Sequence, residues 1–163
     1  MRKTLTYILV GLGVLAVLGS VGCRKSGPGP EAYTDREPLP QFKVHMRATG
    51  GWDYQEMKYV EWTIEYSGRG DISYEYLSEN EMGHMEQKEA ELPAWMGYAL
   101  WDDLEKNDVW ELVSDESIST EGRSTYVIEL RLGDRRNEIK IYGPDFHPDK
   151  RYQRVIEVIQ DFY

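Results

Sequence analysis

A β-hairpin is encoded by residues 59–76, YVEWTIEYSGRGDISYEY. Apolar or aromatic side chains occupy every second position of residues 60–66, and the same alternation resumes over residues 72–76. A period of two is typical of strands that bury one face. Between them, residues 67–70 read Ser-Gly-Arg-Gly, a composition typical of a tight turn. We therefore predict two antiparallel strands that share one apolar face.

The flanking sequence predicts further strands and two helices. Phe42, Val44 and Met46 alternate with polar residues upstream, and residues 125–142 form a second hairpin around Gly133-Asp134. Apolar residues spaced three to four apart predict one helix over residues 93–107 and another from about residue 150. Residues 79–91 are polar with scattered methionines, so we expect an extended loop or a weak strand there.

The predicted order is β-β-β-α-β-β-α. Hairpins pair neighbouring strands antiparallel, and the amphipathic helices need an apolar sheet face to cover. We therefore predict an α+β fold, an antiparallel sheet of about five strands with two helices packed on one face.

The N-terminal residues predict export. Arg2 and Lys3 precede an uncharged stretch that runs to Gly22, which is the pattern of a bacterial signal peptide. Ser20-Val21-Gly22-Cys23 resembles the lipobox of bacterial lipoproteins, with Ser20 where that motif usually has leucine. We predict a signal peptide over residues 1–22, a lipid such as palmitate on Cys23, and an anchored, flexible Gly/Pro-rich linker over residues 23–41. The alternative is an uncleaved membrane anchor.

Charge and cysteine content limit the partners. Removing the first 23 residues takes away two of 19 basic residues and none of 29 acidic ones, so the net charge becomes 17 minus 29, or -12. Proteins bind nucleic acid and anionic lipid headgroups through their Lys and Arg side chains, so these ligands are poor partners for such an acidic chain. Cys23 is the single cysteine, which excludes an intramolecular disulfide. The acidic chain would more readily attract a protein partner that has a basic surface or carries a metal ion.

Catalytic and metal-binding patterns are weak. Three histidines are scattered along the chain, and Met82 with His84 and Met85 falls short of a soft metal site. The most compact polar cluster is Asp145-Phe146-His147-Pro148-Asp149, which also fits a turn and a helix start. We expect no catalytic residues, no cofactor and no metal.

Residues 42–163 contain several short motifs in a fixed order: Phe42-x-Val44 before Gly50-Gly51-Trp52, then Tyr66-Ser67-Gly68, then Asp108-Val109-Trp110-Glu111-Leu112, followed by a Gly-Asp turn and a terminal helix. In this layout the domain over residues 42–163 resembles emfourin. Emfourin-like proteins are small inhibitors of thermolysin-type metallopeptidases. The resemblance implies an α+β domain that binds a protein without catalysis.

These observations predict a membrane-anchored, non-catalytic lipoprotein of the bacterial cell envelope, with its domain outside the cytoplasm. Its expected role is protein binding, including peptidase inhibition, through loops at Gly51, Trp52, Asp115 and Glu116. One alternative is a small-molecule or lipid carrier with an apolar pocket. A third, ranked last, is an envelope hydrolase using His147 with Asp145 or Asp149.

Overall fold

The computed structural model describes residues 29–50, 57–117 and 124–163. The predicted signal segment, Cys23, Gly51 and Trp52 lie outside these residues. The strands are β1 Phe42–Thr49, β2 Met57–Tyr66, β3 Ile72–Asn80, β4 Met85–Leu92, β5 Thr125–Leu132 and β6 Arg135–Tyr142, and the helices are α1 Trp95–Glu105 and α2 Arg151–Gln160. Among the described residues, no helix combines the length and apolar composition needed to span a bilayer.

The strands form one antiparallel sheet in the order β4-β3-β2-β1-β5-β6. The α+β class with an antiparallel sheet is therefore confirmed. The predicted count of about five strands is wrong, because the described residues form six.

The additional strand is β4, which lies in the segment that we predicted to be an extended loop or a weak strand. Gly83 adopts a φ of 79° in the turn that joins β3 to β4, and its N–H donates to the Asn80 carbonyl oxygen at 2.9 Å. Nearly every side chain of β4 is exposed, and Leu92 alone among them is buried. An edge strand exposed on both faces has no apolar alternation, which is why period-two reasoning missed it.

Both helices cover the same face of the sheet. Trp101 on α1 and Phe42 on β1 form a T-shaped ring contact, with their centroids 5.6 Å apart. Phe162, just after α2, lies against Tyr74 on β3 at 6.5 Å. The interior is completed by apolar side chains from the sheet and helices, among them Met46, Ile64, Leu104, Ile139 and Ile159, all with no exposed surface. These contacts account for the burial of one sheet face.

Part of the segment predicted to be a flexible linker is docked on α1. Tyr33 is only 5% exposed, and its ring stacks on Tyr98 with centroids 5.6 Å apart. The Arg36 guanidinium donates to both carboxylate oxygens of Asp102 at 2.8 and 2.9 Å, and the Leu39 N–H donates to the Tyr98 hydroxyl. We call residues 30–41 the strap. Because of these contacts, the packed part of the chain begins before residue 42.

Candidate functional site

One end of the sheet gathers four connecting segments. The register brings the end of β1, the start of β5 and the end of β6 together through Thr49, Thr125 and Tyr142. At the same end of the sheet, the end of β3 lies between the start of β2 and the start of β4. The connections that meet this end are residues 50–56, 81–84 and 143–150, together with the later part of 106–124, which runs along β6 from Arg135 and reaches this end at Asp115. Residues 51–56 and 118–123 of these connections lie outside the described residues. We call this end of the sheet the loop end, and the opposite end, with turns 67–71 and 133–134, the turn end.

Hydrogen bonds tie three of these connections together. The Ser124 hydroxyl donates to the Gly50 carbonyl oxygen at 3.1 Å, and the Gly143 N–H donates to the Ser124 carbonyl oxygen at 2.9 Å. Ser124 is buried. The loops predicted to carry the candidate residues Gly51, Trp52, Asp115 and Glu116 therefore start or finish at the same place.

The loop end also exposes large apolar side chains. Met82 is 79% exposed, Met85 63% and Phe146 64%, and these are three of the five large hydrophobic residues exposed among the described residues. The methionines lie on the β4 side and Phe146 on the β6 side, which are five strand spacings or about 24 Å apart. Methionine and aromatic side chains are enriched at protein-binding surfaces.

Asp115 joins two of the loop-end segments. Its N–H donates to the Lys140 carbonyl oxygen at 2.9 Å, which pairs it with the end of β6. Its carboxylate accepts the Ser117 N–H at 2.7 Å and lies 3.0 Å from Nε2 of His147. Hydrogen bonds from Ser117 and then His147 lower the pKa of the Asp115 carboxyl from 3.8 to about 2. Asp115 is therefore a brace of the loop end.

His147 has both ring nitrogens engaged. The Asp149 N–H donates to Nδ1 at 3.1 Å, so Nδ1 acts as an acceptor and Nε2 carries the proton that Asp115 accepts. The residue is buried, with 5% of its surface exposed, and its ring forms a T-shaped contact with Tyr152 at 4.6 Å between centroids. The carboxylate that pairs with His147 belongs to Asp115, and not to Asp145 or Asp149 as the hydrolase hypothesis expected.

Asp149 serves the start of α2, as the sequence predicted. Its carboxylate accepts the Arg151 N–H at 3.0 Å and the Arg151 guanidinium at 2.7 Å. These hydrogen bonds from Arg151 lower the pKa of the Asp149 carboxyl. Arg151 also reaches Asp108 at 3.3 Å, which links α2 to the end of α1.

Of the predicted binding residues, Glu116 is the exposed one within the described residues. Its carboxylate lies 3.1 Å from Lys140 Nζ on β6. Sequence reasoning missed Met82, Met85 and Phe146 as surface residues. Their signal was present, because each stands in a polar or turn-forming segment without apolar periodicity.

The sheet face that the helices leave uncovered is polar and charged. Lys43, Arg131 and Arg136 line up across β1, β5 and β6, and with Glu129 and Glu138 they border a shallow groove.

Toward the β4 edge of the same face, Glu75 on β3 stands directly opposite Glu89 on β4. Gln87 Nε2 donates to both of these carboxylates, at 3.1 and 2.7 Å. Like charges placed directly opposite each other in a sheet are unfavourable, so this region favours an added cation.

The two edges of the sheet differ. Residues 109–115 cover the β6 edge: Asn137 Nδ2 donates to the carbonyl oxygens of Val109 and Leu112 at 2.8 and 3.0 Å, and the Lys140 N–H donates to the Ser114 hydroxyl. At the other edge, β3 is the one strand that pairs with β4 among the described residues. An open edge strand is a template for another strand.

Buried side chains of the sheet and helices form one cluster between them. The one groove described above is lined mainly by charged and polar residues of the uncovered sheet face, such as Lys43, Glu129 and Arg136. The part of the chain that the structure describes contains no group of three or more His, Cys, Asp or Glu side chains placed to hold a metal ion.

Compared with models of known protein families and with curated proteins, the chain has no match. The resemblance to emfourin stays a prediction.

Proposed function

We propose that this protein is a non-catalytic protein-binding module, held at the bacterial envelope by a lipid on Cys23, that binds its partner through the loop end. The observation that carries the proposal is the convergence of four connecting segments on one braced end that exposes Met82, Met85 and Phe146. Loops on a rigid scaffold commonly carry binding. Methionine adapts its shape to a partner surface.

The partner we propose has a basic contact surface. Glu81, Glu116 and Asp145 are exposed at the loop end, and the whole chain has a net charge of -10. Attraction between this surface and a basic protein speeds their association and weakens with salt. The resemblance to emfourin suggests a thermolysin-type metallopeptidase as one such partner, and an inhibition assay with the purified protein tests that narrower proposal.

Photo-crosslinking from defined positions tests the binding surface. A photoreactive amino acid replaces Met82 or Phe146 at the loop end, and Arg69 or Asp134 at the turn end, which are matched controls exposed to solvent. We expect the loop-end positions to yield one crosslinked protein whose purified form rebinds in a salt-dependent manner. Equal yields from both ends, or no specific adduct from Met82 and Phe146, would reject the proposal.

The anchor has its own test. Replacing Cys23 with serine should abolish labelling by radioactive palmitate and release the protein from the membrane fraction. Ser26→Ala, three residues downstream, is the matched control and should keep both. Retention of label in Cys23→Ser would eliminate Cys23 as the lipidation site.

A further inference from the structure

We propose that the outer edge of β4 accepts an extended, basic segment of the partner as a seventh strand, an inference that rests on the proposed protein-binding function. Two features carry it: the hydrogen-bonding state of the edge and the charge of the side chains along it.

The hydrogen-bonding pattern identifies the free backbone groups. The Asn80 N–H donates to the His84 carbonyl oxygen at 3.0 Å, so this pair is hydrogen-bonded across the β3–β4 hairpin. In an antiparallel ladder the bonded pairs alternate, which turns Glu86, Lys88 and Ala90 toward β3. Gln87, Glu89 and Glu91 therefore direct their N–H and C=O groups away from the sheet. Within the described residues, no other group bonds to these outward positions.

Within the described residues, the β4 edge is uncovered, whereas the β6 edge is not. Asn137 and Ser114 hold residues 109–115 against the β6 edge, so that edge has an occupant from its own chain. The β4 edge leads directly to the exposed tip at Met82 and Met85. A strand added there would extend the sheet and place its end at the loop end.

The charges of the β4 side chains determine which kind of segment can pair with this edge. Gln87, Glu89 and Glu91 project onto the uncovered sheet face, where Glu89 already faces Glu75 and both share the Gln87 amide. A lysine or arginine opposite Glu89 and another opposite Glu91 would relieve this repulsion. A second copy of β4 would add carboxylates instead, so the same residues oppose self-pairing. The occupant is therefore an extended segment with basic residues at alternate positions.

The test uses the full chain purified in mild detergent and a short capped peptide with lysine at every second position and threonine between. The expected result is slower amide hydrogen exchange at Gln87, Glu89 and Glu91, with little change at Lys88, whose N–H already pairs with β3. Three control peptides share the length: one has glutamate in place of lysine, one has a scrambled order, and one is N-methylated along its pairing edge. Equal protection by any control, or protection without added peptide through self-association, would overturn the inference.

Charge reversal gives an independent measurement. The double substitution Glu89→Lys with Glu91→Lys should weaken binding of the lysine peptide about tenfold and strengthen binding of the glutamate peptide. Glu111→Lys with Asp134→Lys makes the same change in net charge away from β4 and should have little effect. Equal losses in both double variants would show that only overall charge matters.

An edge-blocking variant separates this inference from the proposed function. Gln87→Pro removes one outward N–H and leaves the N–H groups that pair with β3 in place. We expect at least a tenfold loss of peptide binding and loss of partner binding. If Gln87→Pro binds both normally while crosslinking from Met82 persists, strand addition is wrong and loop-end binding stands. If crosslinking from Met82 and Phe146 also fails, both are wrong.

Discussion

Asp115 joins the segment before β5, the end of β6 and the segment before α2 through one carboxylate and one N–H. Its folded-state pKa of about 2 lies below the ordinary 3.8, so the ionised form stabilises the fold. That contribution is present above about pH 4 and is lost as the pH falls toward 2. Acid should therefore loosen the loop end.

We predict that Asp115→Asn lowers the free energy of unfolding at neutral pH and flattens its dependence between about pH 4 and 2. Urea unfolding over a pH series measures both quantities. Asp145→Asn removes an exposed carboxylate from a neighbouring segment and should change neither. An unchanged acid slope in Asp115→Asn would mean that the carboxylate does not hold the loop end together.

Gly97 on α1 lies where the strap meets the core. A Cβ added there would stand 2.6 Å from Leu39 Cδ2 and 2.9 Å from Phe42 Cε1. We predict that Gly97→Ala lowers the free energy of unfolding by about 1–3 kcal/mol through overpacking, despite a gain in helix propensity of about 1 kcal/mol. Gly29→Ala has open space and should be neutral in the same unfolding experiment. A more stable Gly97→Ala would contradict this packing.

At the scale of elements, the cover on the β6 edge depends on Asn137. We predict that Asn137→Ala lowers the free energy of unfolding by about 1–3 kcal/mol, because two carbonyl oxygens lose their donor. Asn137→Asp should lose more, since a carboxylate would face the carbonyl oxygens of Val109 and Leu112 without a proton to donate. Chemical denaturation gives the order, and equal stability of the two variants would contradict it.

The strap is the second such element. We predict that Tyr33→Ala frees residues 30–41, because the Tyr33 ring is buried on α1 and stacks on Tyr98. Trypsin cleavage after Arg36 should accelerate before the sheet unfolds. Glu31→Ala removes an exposed side chain from the same segment, leaves the residues on both sides of the cleaved bond unchanged, and is the control. Equal cleavage rates for Tyr33→Ala and the unaltered protein would exclude the docking.

The elements that could be predicted share a strong period. Val60, Trp62 and Ile64 mark β2 because one of its faces is buried. β4 could not be predicted firmly, since Glu86, Lys88 and Glu89 follow no apolar pattern and the strand depends on pairing with β3. The strap was hidden for a related reason: Tyr33 is a single aromatic residue in a Gly/Pro-rich segment, and its partner Tyr98 is distant in sequence.

The features of the candidate site also divide into those that could be predicted from the sequence and those that could not. Loops at Gly51 and Asp115 were predicted from composition, and the structure brings their attachment points together through Gly50 and Ser124. The pairing of Asp115 with His147 spans 32 positions and leaves no local signal. Proximity of this kind follows from sheet register, which a single sequence does not specify.

At the scale of the whole molecule, the strap shortens the proposed tether. With residues 30–41 docked on α1, residues 24–29 remain between the proposed lipid on Cys23 and the domain, and the distance from Cys23 to Pro30 is at most about 25 Å. The domain would then work close to the membrane. This arrangement suits a partner that is itself in the envelope.

Amide hydrogen exchange of the full chain with its crosslinked partner, purified and added back, tests loop-end binding most directly. We predict slower exchange over residues 80–86 and 143–147, and unchanged exchange at the turn-end residues 67–71 and 133–135. Protection at the turn end with none at the loop end would contradict the account.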